Sequence, residues 1–591
     1  MKLYGSNIDS SIEALKMKDS EQIFINTFEN QLKGNAICRI VPTSGVFLDW
    51  MYEEDNKILF VKFLDTNEDT FSILGEEIIE VLDEEKKKLE EYVEKIGLNL
   101  SYNMIFFMPN VKLSKEDKRE YIVDSAKFKS LKSNPEKIRE YLIDGNSDIE
   151  PNLIRYYMAK ENHIIKRAPY EDESLFKKIT FQGKTTQTQF CAISLDEAQL
   201  NIVNEIKHGA TIIEGAAGTG KTTILLARAL KLAKLYPKDK FLVVTFNKQL
   251  ANEIKAFLNV TELNLKNLEV VNFHSFIIRL AKGLHMGLEQ IIKKEDFNDT
   301  FKKMFKKLKI LISEKHIYKG IFIDEGEAFE FEEFEFFKDL LYKTKNIYTV
   351  TMDKAKEMKS KNEIFCCEAE KLNYDYHLHL DCNYRHSQAV GGIINRFGNK
   401  LKLYCKDHNI ELPKGYYQES SLNRKIEGKW KFITVGSLEE KINRIIKSIE
   451  EMHESGIDYR DICIIYPYSK RRIKNGNTIY FQYILKKALE EAKIPHNYGN
   501  EELTSLTGRI GVTISTIYSV KNLEFKAVVF CEIEMLFSHG LNSSEKLGAY
   551  EIKSFIKNAN IIYSSITRAS EILYIISTFN EENSELIGFL Q

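Results

Sequence analysis

The sequence lacks the features that mark a secreted or membrane protein. No apolar run approaches the roughly 20 residues that a helix needs to cross a bilayer, so no membrane association is expected. The first residues contain no apolar stretch followed by a small-residue cleavage site, so no signal peptide is expected. The eight cysteines are scattered without zinc-knuckle spacing, which favours reduced thiols in a cytoplasmic protein.

An excess of charge of one sign is also missing. The 84 Lys and Arg residues nearly balance the 86 Asp and Glu residues. This balance excludes a histone-like protein that coats any polyanion, although a local basic groove can still bind nucleic acid. The 591 residues, of which 43% are hydrophobic and 29% charged, are typical of a soluble globular protein and suffice for two to four domains.

The apolar pattern divides the chain into three regions without internal repeats. Residues 1–125 are predicted as a small α/β domain, and residues 126–190 as a helical connector. From residue 191, apolar strands alternate with longer helices, which predicts two successive parallel sheets at 191–375 and 376–591. In the first region the predicted elements are helices at Ser20–Lys33 and Glu76–Ile96 and strands at Gly45–Glu53, Lys57–Asp65 and Met104–Met108.

One glycine-rich segment has the pattern of a phosphate-binding loop. Gly215-Ala-Ala-Gly-Thr-Gly-Lys221-Thr222 follows an apolar strand and opens a helix. Glycines let backbone N–H groups turn toward phosphates, and the helix N-terminus adds its positive end. We expect Lys221 to bridge the β- and γ-phosphates of ATP and Thr222 to ligate Mg²⁺. The candidate nucleotide-binding residues of the loop are Gly215, Gly218, Gly220, Lys221, Thr222 and Thr223.

A second carboxylate source follows at the end of another predicted strand. The apolar run Gly320-Ile-Phe-Ile ends in Asp324 and Glu325. We expect Asp324 to hold Mg²⁺ through water and Glu325 to position or deprotonate the attacking water. An Asp-Glu pair at a strand end is common by itself, but its place after a phosphate loop indicates an ATPase.

From about residue 190 onward, the chain resembles UvrD/Rep-like superfamily 1 helicases. The motifs occur in the family's order, beginning with Leu195-Asp-Glu-Ala-Gln199 ahead of the loop. Thr245-Phe246-Asn247 resembles motif Ia, and Val271-Asn-Phe-His274 resembles motif Ib. Motif III corresponds to Met352-Asp353, motif IV to Asn383-Tyr384-Arg385, motif V to Ser515–Phe525 with Tyr518 and Glu524, and motif VI to Ile566-Thr567-Arg568-Ala569.

The resemblance implies two RecA-like lobes with ATP and Mg²⁺ bound between them. In the family, the glutamine matching Gln199 reads adenine, the glutamate matching Glu524 contacts the ribose, and Asp353 belongs to the nucleotide site. The arginines matching Arg385 and Arg568 reach the γ-phosphate from the second lobe, where they neutralise developing charge. The implied contacts to single-stranded nucleic acid, with DNA favoured over RNA, are Phe246, Asn247, His274 and Tyr518.

Several positions depart from the family pattern. Motif III carries Lys356 where the family has glutamine, and no aromatic residue follows closely. Base stacking contributes roughly 1–3 kcal/mol per base, so its loss weakens the expected grip on a single strand. Motif V has Tyr518 in place of histidine and Asn522 in place of glycine, and the insertion at 275–318 is short.

Two helical segments near these motifs have alternative interpretations. A basic amphipathic helix contains Lys302, Lys303, Lys306, Lys307 and Lys309, and it either follows a phosphate backbone or exposes a solvated lysine face over an apolar stripe. The run Phe329–Phe337 predicts a helix in which Phe334, Phe337 and Leu341 pack into the core.

Residues 1–125 resemble the nuclease-related domain that is fused to some helicases, a member of the PD-(D/E)xK group. The resemblance rests on a helix containing Glu29, on Asp49 and on Lys62. The expected metal-binding glutamate is Phe60, which cannot ligate Mg²⁺. The sequence therefore favours an inactive relic that binds a partner protein or nucleic acid, while Asp49 and Lys62 as ordinary strand residues remain the alternative.

The sequence therefore predicts an ATP-dependent nucleic-acid translocase or helicase, in a setting such as anti-phage defence or DNA repair. One alternative is an ATP-controlled scaffold or switch that regulates a partner and unwinds little or nothing. A second alternative is an active fusion of nuclease and helicase.

Overall fold

The computed structural model has a mixed α/β fold, as predicted, with three six-stranded sheets. It describes residues 1–6, 9–115, 117–146, 149, 151–167, 179–181, 184–186, 190–284, 297–312, 315–353, 355, 368–412, 416–472, 478–498, 509–520, 523–537, 549–579 and 584–591. Within these ranges, no helix combines the length and the apolar character that a bilayer span requires.

The first sheet is formed by the N-terminal residues and has strand order β1-β2-β3-β4-β5-β6. Its central hairpin turns at Asp55 and Asn56, which both have left-handed backbone conformations, as a two-residue hairpin turn requires. Two helices cover its opposite faces, each with its own apolar core. The elements are β1 (Lys2–Tyr4), α1 (Asp19–Phe28), β2 (Asn35–Ile40), β3 (Leu48–Glu54), β4 (Lys57–Phe63), α2 (Glu68–Ile96), β5 (Tyr102–Phe107) and β6 (Ile122–Val123).

The predicted strands of this region are confirmed, and the two helices differ at their ends. Helix α1 ends before Lys33 because Gly34 enters the sheet so closely that a Cβ atom there would lie 2.0 Å from the Glu53 carbonyl oxygen. Helix α2 begins earlier than predicted because the Asn67 side chain accepts a hydrogen bond from the Thr70 amide and caps the helix.

The region predicted as a helical connector, residues 126–190, also contains strands. β7 pairs with β10 in an antiparallel ladder, and β8 pairs with β9. These short strands lack a long apolar period, so the sequence pattern alone did not reveal them. The elements are α3 (Ser125–Ser133), α4 (Pro151–Met158), β7 (His163–Arg167), β8 (Ile179–Phe181), β9 (Lys184–Thr186), β10 (Phe190–Ser194) and α5 (Glu197–Asn204).

The second sheet is entirely parallel, with strand order β13-β12-β14-β15-β11-β16. Its inner strands are buried on both faces, which explains their continuous apolar runs. The elements are β11 (Gly209–Gly215), α6 (Lys221–Leu235), β12 (Phe241–Thr245), α7 (Lys248–Thr261), β13 (Leu268–Asn272), α8 (Phe273–Gly283), α9 (Phe297–Ile312), β14 (Gly320–Asp324), α10 (Phe331–Asp339), β15 (Ile347–Met352) and β16 (Tyr376–Leu380).

The third sheet is also parallel, with strand order β19-β26-β25-β20-β24-β23. Two small strand pairs, β17 with β18 and β21 with β22, accompany it. The elements are β17 (Cys382–Asn383), α11 (Gln388–Asp407), β18 (Ser421–Leu422), β19 (Lys429–Thr434), α12 (Leu438–Glu454), β20 (Ile462–Tyr466), β21 (Lys470–Arg472), β22 (Thr478–Tyr480), α13 (Phe481–Glu491), β23 (His496–Tyr498), β24 (Val512–Thr516), α14 (Ile517–Val520), β25 (Phe525–Cys531), α15 (Ala549–Ile566), β26 (Ala569–Ser577) and α16 (Glu585–Gly588).

The second sheet extends past the predicted boundary at residue 375. Strand β16 pairs with β11, with Thr211 opposite Tyr376, so the sheet ends at Leu380. As an edge strand, β16 alternates between exposed and partly buried residues and therefore lacks the apolar run of its neighbours.

Two helices beside the second sheet pack as the sequence pattern predicts. In α9 the apolar stripe, including Phe305 and Leu308, is buried, while Lys302 and Lys306 are exposed. In α10, Phe334 and Phe337 are buried together with Leu341, which confirms the packing interpretation.

The N-terminal residues share a core with the second sheet through α6. Ile12, Val41 and Phe47 pack with apolar residues of α6 in one continuous cluster. Lys234 in the last turn of α6 is buried, and its Nζ donates to the Val41 carbonyl (2.9 Å) and to Glu161 Oε2 (2.6 Å). The helix that follows the phosphate-loop motif therefore packs against the second sheet and against residues of the N-terminal region.

Candidate functional site

The glycine-rich segment forms a tight loop between β11 and α6. Gly218 and Gly220 both have φ of +87°, a conformation that glycine adopts without strain. Lys221 begins α6, and its Nζ donates to the carbonyl oxygens of Gly215 (2.6 Å) and Ala216 (2.8 Å). The lysine ammonium thus lies over the loop whose amides would cradle phosphate.

Three acids lie at the same edge of the sheet. Asp324 ends β14 and is buried; it accepts hydrogen bonds from the Thr351 hydroxyl and from the Glu325 amide (3.1 Å). Glu325 has φ of +55°, a strained conformation for a residue with a side chain. The carboxylate of Asp353 lies 3.7 Å from Lys221 Nζ. The structure therefore places Asp353 beside Lys221, with Asp324 at the end of the neighbouring strand β14.

Gln199 contacts the phosphate loop from the side of α5. A Cβ atom built on Gly220 would lie 2.7 Å from Gln199 Nε2. The glutamine is fixed by reciprocal hydrogen bonds with the helix cap Asp196, and its buried Nε2 has no hydrogen-bond partner among the described residues. An unpaired buried donor is costly, which points to a ligand acceptor at this position.

Thr222 and Thr223 form the first turn of α6, directly after the loop. Both line a cavity of about 130 Å³, which is closed by α7 and by residues 161 and 163–165 of the connector. Its walls are mostly apolar, so it differs in character from the charged edge of the sheet.

Arg385 lies against the phosphate loop although it precedes the third sheet. The Tyr384 amide donates to the Gly218 carbonyl (2.9 Å), and Asn383 Nδ2 donates to the Ala217 carbonyl (3.0 Å). A Cβ atom on Gly218 would lie 3.0 Å from the Cβ of Arg385. The Arg385 guanidinium forms an ion pair with Glu524, the predicted ribose contact.

Arg568 approaches the same charges from the turn after α15. It is buried, and its guanidinium donates to the carbonyl oxygens of Ser564 (3.1 Å) and Leu523 (3.4 Å). Burial and the nearby Arg385 lower its pKa to about 10, while the charges of Glu325, Glu524 and Asp353 act in the opposite direction. The guanidinium is therefore within electrostatic reach of the acids beside the phosphate loop.

Three residues that the sequence did not single out complete this arrangement. His386 accepts from Asn383 at Nδ1 (2.8 Å), donates from Nε2 to the Thr567 carbonyl (3.1 Å), and has its pKa lowered to about 3, mainly by burial. Tyr563 is buried, and burial raises its pKa. Thr351 fixes Asp324. Two sequence features could have indicated these residues: His386 directly follows motif IV, and Thr351 lies at the end of a predicted strand.

The nucleic-acid candidates divide between the two parallel sheets. Phe246 and His274 follow β12 and β13, and their rings contact edge to face with centroids 5.0 Å apart. Asn247 caps α7 by accepting from the Gln249 amide. Tyr518 follows β24 of the third sheet and is 43% exposed. The structure brings Phe246 and His274 together, whereas Lys356, Lys521 and Asn522 lie outside the described residues.

The N-terminal candidates are arranged differently from the expectation. Glu29 lies just past the end of α1, and the buried acid of that helix is Glu21 instead. Asp49 is buried and paired with Lys18 (2.9 Å) and Arg39 (3.5 Å). Lys62 forms an ion pair with Glu85, and Phe60 is buried. Among the described residues, no cluster of three or more His, Cys, Asp or Glu side chains could hold a metal ion.

Comparison with known proteins supplies one family match. The model for the UvrD/REP helicase N-terminal domain matches residues 195–490, which contain the phosphate loop, Asp324 and Arg385. No curated protein matches the chain. One solved structure with some similarity is the C-terminal domain of a possible DNA helicase from Lactobacillus plantarum WCFS1, at 14% identity and a TM-score of 0.22, covering 35% of this chain and 94% of that one. Because the family match spans half of the chain, the protein belongs to the UvrD/REP helicase family.

Proposed function

We propose that this protein hydrolyses ATP with Mg²⁺ to translocate along single-stranded nucleic acid, with DNA favoured over RNA. Two RecA-like lobes, 191–375 extended to Leu380 and the remainder to 591, would close on one nucleotide. The family supports a helicase-type ATPase in general. The finer assignment is supported by the site geometry.

The observation that carries the proposal is the approach of two arginines to the phosphate loop. Arg385 is next to Gly218, and its guanidinium donates to the carbonyl oxygen of Thr567 (3.4 Å), the residue directly before Arg568. Cations that arrive from another part of the chain can neutralise charge on a phosphoryl group in transfer, and their removal typically lowers turnover strongly. Glu325 would orient the attacking water and receive its proton.

The residues present fit both expected cofactors. The positive-φ glycines leave the loop amides open to phosphates, and the unpaired amide of Gln199 suits a base acceptor. Thr222 and Asp324 would hold Mg²⁺, which supplies charge neutralisation at the phosphates when bound. Asp353 and Lys221 would bind at the same edge, and Glu524 would contact the ribose.

The predicted contacts to nucleic acid are Phe246, Asn247, His274 and Tyr518. Exposed or half-buried aromatic rings at the strand ends of both parallel sheets can stack on bases. The fusion with an N-terminal α/β region motivates a role in DNA repair or anti-phage defence.

The central test is ATP turnover with and without single-stranded DNA. We expect stimulation by DNA in the wild type, and a loss of about 100-fold or more in Lys221→Ala, Glu325→Gln and Arg568→Lys. Lysine cannot reproduce the several directed hydrogen bonds of the Arg568 guanidinium. Arg460→Lys is the matched control, because Arg460 pairs locally with Asp458. Equal turnover in the wild type and all three site variants would overturn the proposal.

A second candidate function is an ATP-controlled switch that regulates a partner protein through residues 1–125. The packing of α6 against the N-terminal residues favours it, because nucleotide binding at one end of α6 can then affect contacts at the other end. Turnover that ignores DNA but responds to a protein partner would select the switch over the translocase.

An active nuclease is the remaining candidate, and the pairing of Asp49 with Lys18 and Arg39 disfavours it. Lys18 donates to Asp49 Oδ2 and the Arg39 guanidinium lies 3.5 Å from Oδ1, so two cations already balance the charge of this acid, and Phe60 offers no ligand. Mg²⁺-dependent DNA cleavage by the wild type, lost in Asp49→Ala, would establish it nonetheless.

A further inference from the structure

The outer part of α2 carries apolar side chains that the described residues leave largely or partly exposed. The second half of this helix packs on the N-terminal sheet through Leu82, Leu89 and Val93. In the first half, by contrast, Ile73 is 80% exposed and Val81 is 53% exposed, with Leu74 exposed beside them. We call Glu68–Val81 the acidic segment of α2.

The charges of this segment have one sign. Between Leu64 and Glu85 the sequence contains no lysine or arginine, whereas Glu76, Glu77 and Glu80 surround the exposed apolar side chains. None of these three glutamates forms an ion pair with a described residue. Lys86, Lys87 and Lys88 of α2 pair with other glutamates of the same helix. The segment thus exposes apolar side chains that are surrounded by negatively charged carboxylates.

Helix α9 presents the opposite combination. Its inner stripe is buried in the core of the second sheet. Its outer face carries the exposed Lys302, Lys303, Lys306 and Lys307, followed by Ile310 (77% exposed) and Leu311 (56% exposed). We call this the basic face of α9.

We propose that the chain self-associates by docking the acidic segment of α2 on the basic face of α9 of a second copy. The two surfaces complement each other in charge, and both add apolar side chains that docking would remove from water. Their lengths also match: at 1.5 Å per residue, Glu68–Val81 spans about 21 Å and α9 about 24 Å. This inference does not rest on the proposed function.

Other occupants fit the acidic segment less well. Nucleic acid and anionic membranes are repelled by its glutamates, and a symmetric pairing of two acidic segments would place like charges opposite each other. The whole chain has a net charge of −2, so long-range repulsion between copies is small. A contact between two unlike surfaces is head-to-tail, and it closes into a ring or grows into a chain of copies.

Sedimentation velocity of the full-length protein, from about 1 to about 100 μM, measures the association. We expect the average mass to rise with concentration at about 50 mM salt and to fall again at about 500 mM salt, because surface charges are screened. A wild type that stays monomeric over this range would overturn the proposal.

Charge swaps identify the surfaces. Glu77→Lys/Glu80→Lys and Lys306→Glu/Lys307→Glu should each weaken self-association at least tenfold. Mixed in equal amounts, the two variants should associate again, because the unchanged acidic segment of one faces the unchanged basic face of the other, and the two reversed surfaces are also complementary. All four positions are exposed, so melting temperatures close to the wild-type value should confirm folding.

The matched control is Lys447→Glu/Glu450→Lys on the exposed side of α12, which should associate as the wild type does. Failure of the mixture to associate, or equal weakening in the control, would contradict the assigned surfaces. If Lys306→Glu/Lys307→Glu reduced only DNA-stimulated ATP turnover and left association intact, the basic face would bind nucleic acid and the proposal would be overturned.

Discussion

The side chains beside the phosphate loop are held by buried hydrogen bonds between distant parts of the sequence. His386 bridges the Asn383 amide and the Thr567 carbonyl, which belong to two different motifs. This geometry requires a neutral imidazole with its proton on Nε2, because Nδ1 accepts. The protonation state of one histidine therefore contributes to keeping Arg385 and Arg568 next to each other.

We expect the free energy of unfolding to decrease as the pH is lowered, because of this histidine. Burial lowers the pKa of His386 to about 3, while in the unfolded chain the pKa is near 6.5, the ordinary histidine value. Below about pH 6.5 the unfolded state takes up a proton that the folded state excludes, so stability is lost by up to about 1.4 kcal/mol per pH unit until the folded pKa is reached. Urea unfolding at about pH 7 and about pH 5 measures this slope.

His386→Asn should reduce the slope, whereas replacement of the exposed His377 by Asn should leave it unchanged. His163, which is also buried and has its pKa lowered to about 4, adds a similar contribution and accounts for part of the remaining slope. An unchanged slope in His386→Asn would contradict the assignment.

At the scale of residues, the sequence predicts those that belong to a local motif. It does not reveal those whose role depends on contacts with distant parts of the chain. The sequence predicts Lys221, Asp324 and Arg385 as site residues because spacing and flanking strands mark them. Thr351 was missed because its role depends on the neighbouring strand β14, and Glu21 was missed because Glu29 had seemed to be the helix acid. Such partners depend on pairing across the sheet, which one sequence does not encode locally.

Among the elements, α6 connects the candidate nucleotide site with the N-terminal residues. Its first turn carries Lys221 and Thr222, and its last turn carries Lys234, which is buried against Glu161 and the Val41 carbonyl. A buried charge is stable only with such partners. The helix is therefore fixed at both ends by charged groups.

Lys234→Met should destabilise the protein by about 3–5 kcal/mol, because Glu161 would keep a buried charge without its cation. Chemical unfolding measures the loss, and adding Glu161→Gln should recover part of it. The control Lys487→Met removes an exposed pair with Glu491 and should cost at most about 1 kcal/mol. Similar losses in the two lysine variants would show that the buried pair is unimportant.

The parallel strands were predictable because both of their faces are buried, so their sequences read as apolar runs. The strands of the connector and the edge strand β16 were not predictable from the sequence. They are defined by the strands they pair with and not by a periodicity of their own. The first residues of helices were predicted less accurately, because they depend on capping side chains such as Asn67. The backbone geometry is needed to identify such caps.

On the scale of the whole molecule, the N-terminal residues and the second sheet share one hydrophobic core. Ile12, Leu15, Val41 and Phe47 share a core with α6 and α7. Backbone hydrogen bonds reinforce it, such as that from the Ser11 amide to the Ile206 carbonyl (3.0 Å). The predicted division at residue 190 therefore does not separate independent cores.

We expect the fragment 191–591 to be unstable. Removing residues 1–190 exposes the apolar side of α6, and exposed patches of this kind promote aggregation. Size-exclusion chromatography and thermal unfolding of the fragment should show aggregates or a melting temperature lowered by several degrees. Co-expression of residues 1–190 as a separate chain should restore solubility. A monomeric fragment that melts with the full chain would contradict the shared core.

The ion pair between Arg385 and Glu524 has a consequence for how the protein would select its ligand. Under the proposed roles, these two side chains neutralise each other in the absence of a nucleotide. A bound nucleotide would place its sugar hydroxyls at the carboxylate and its terminal phosphate at the guanidinium. A free phosphate or a nucleoside would replace only one partner of the ion pair and would leave the other side chain without its counter-charge in the protein. Under these proposed roles, a nucleoside triphosphate would replace both partners of the ion pair at once, so we expect it to bind more tightly than inorganic phosphate or a nucleoside.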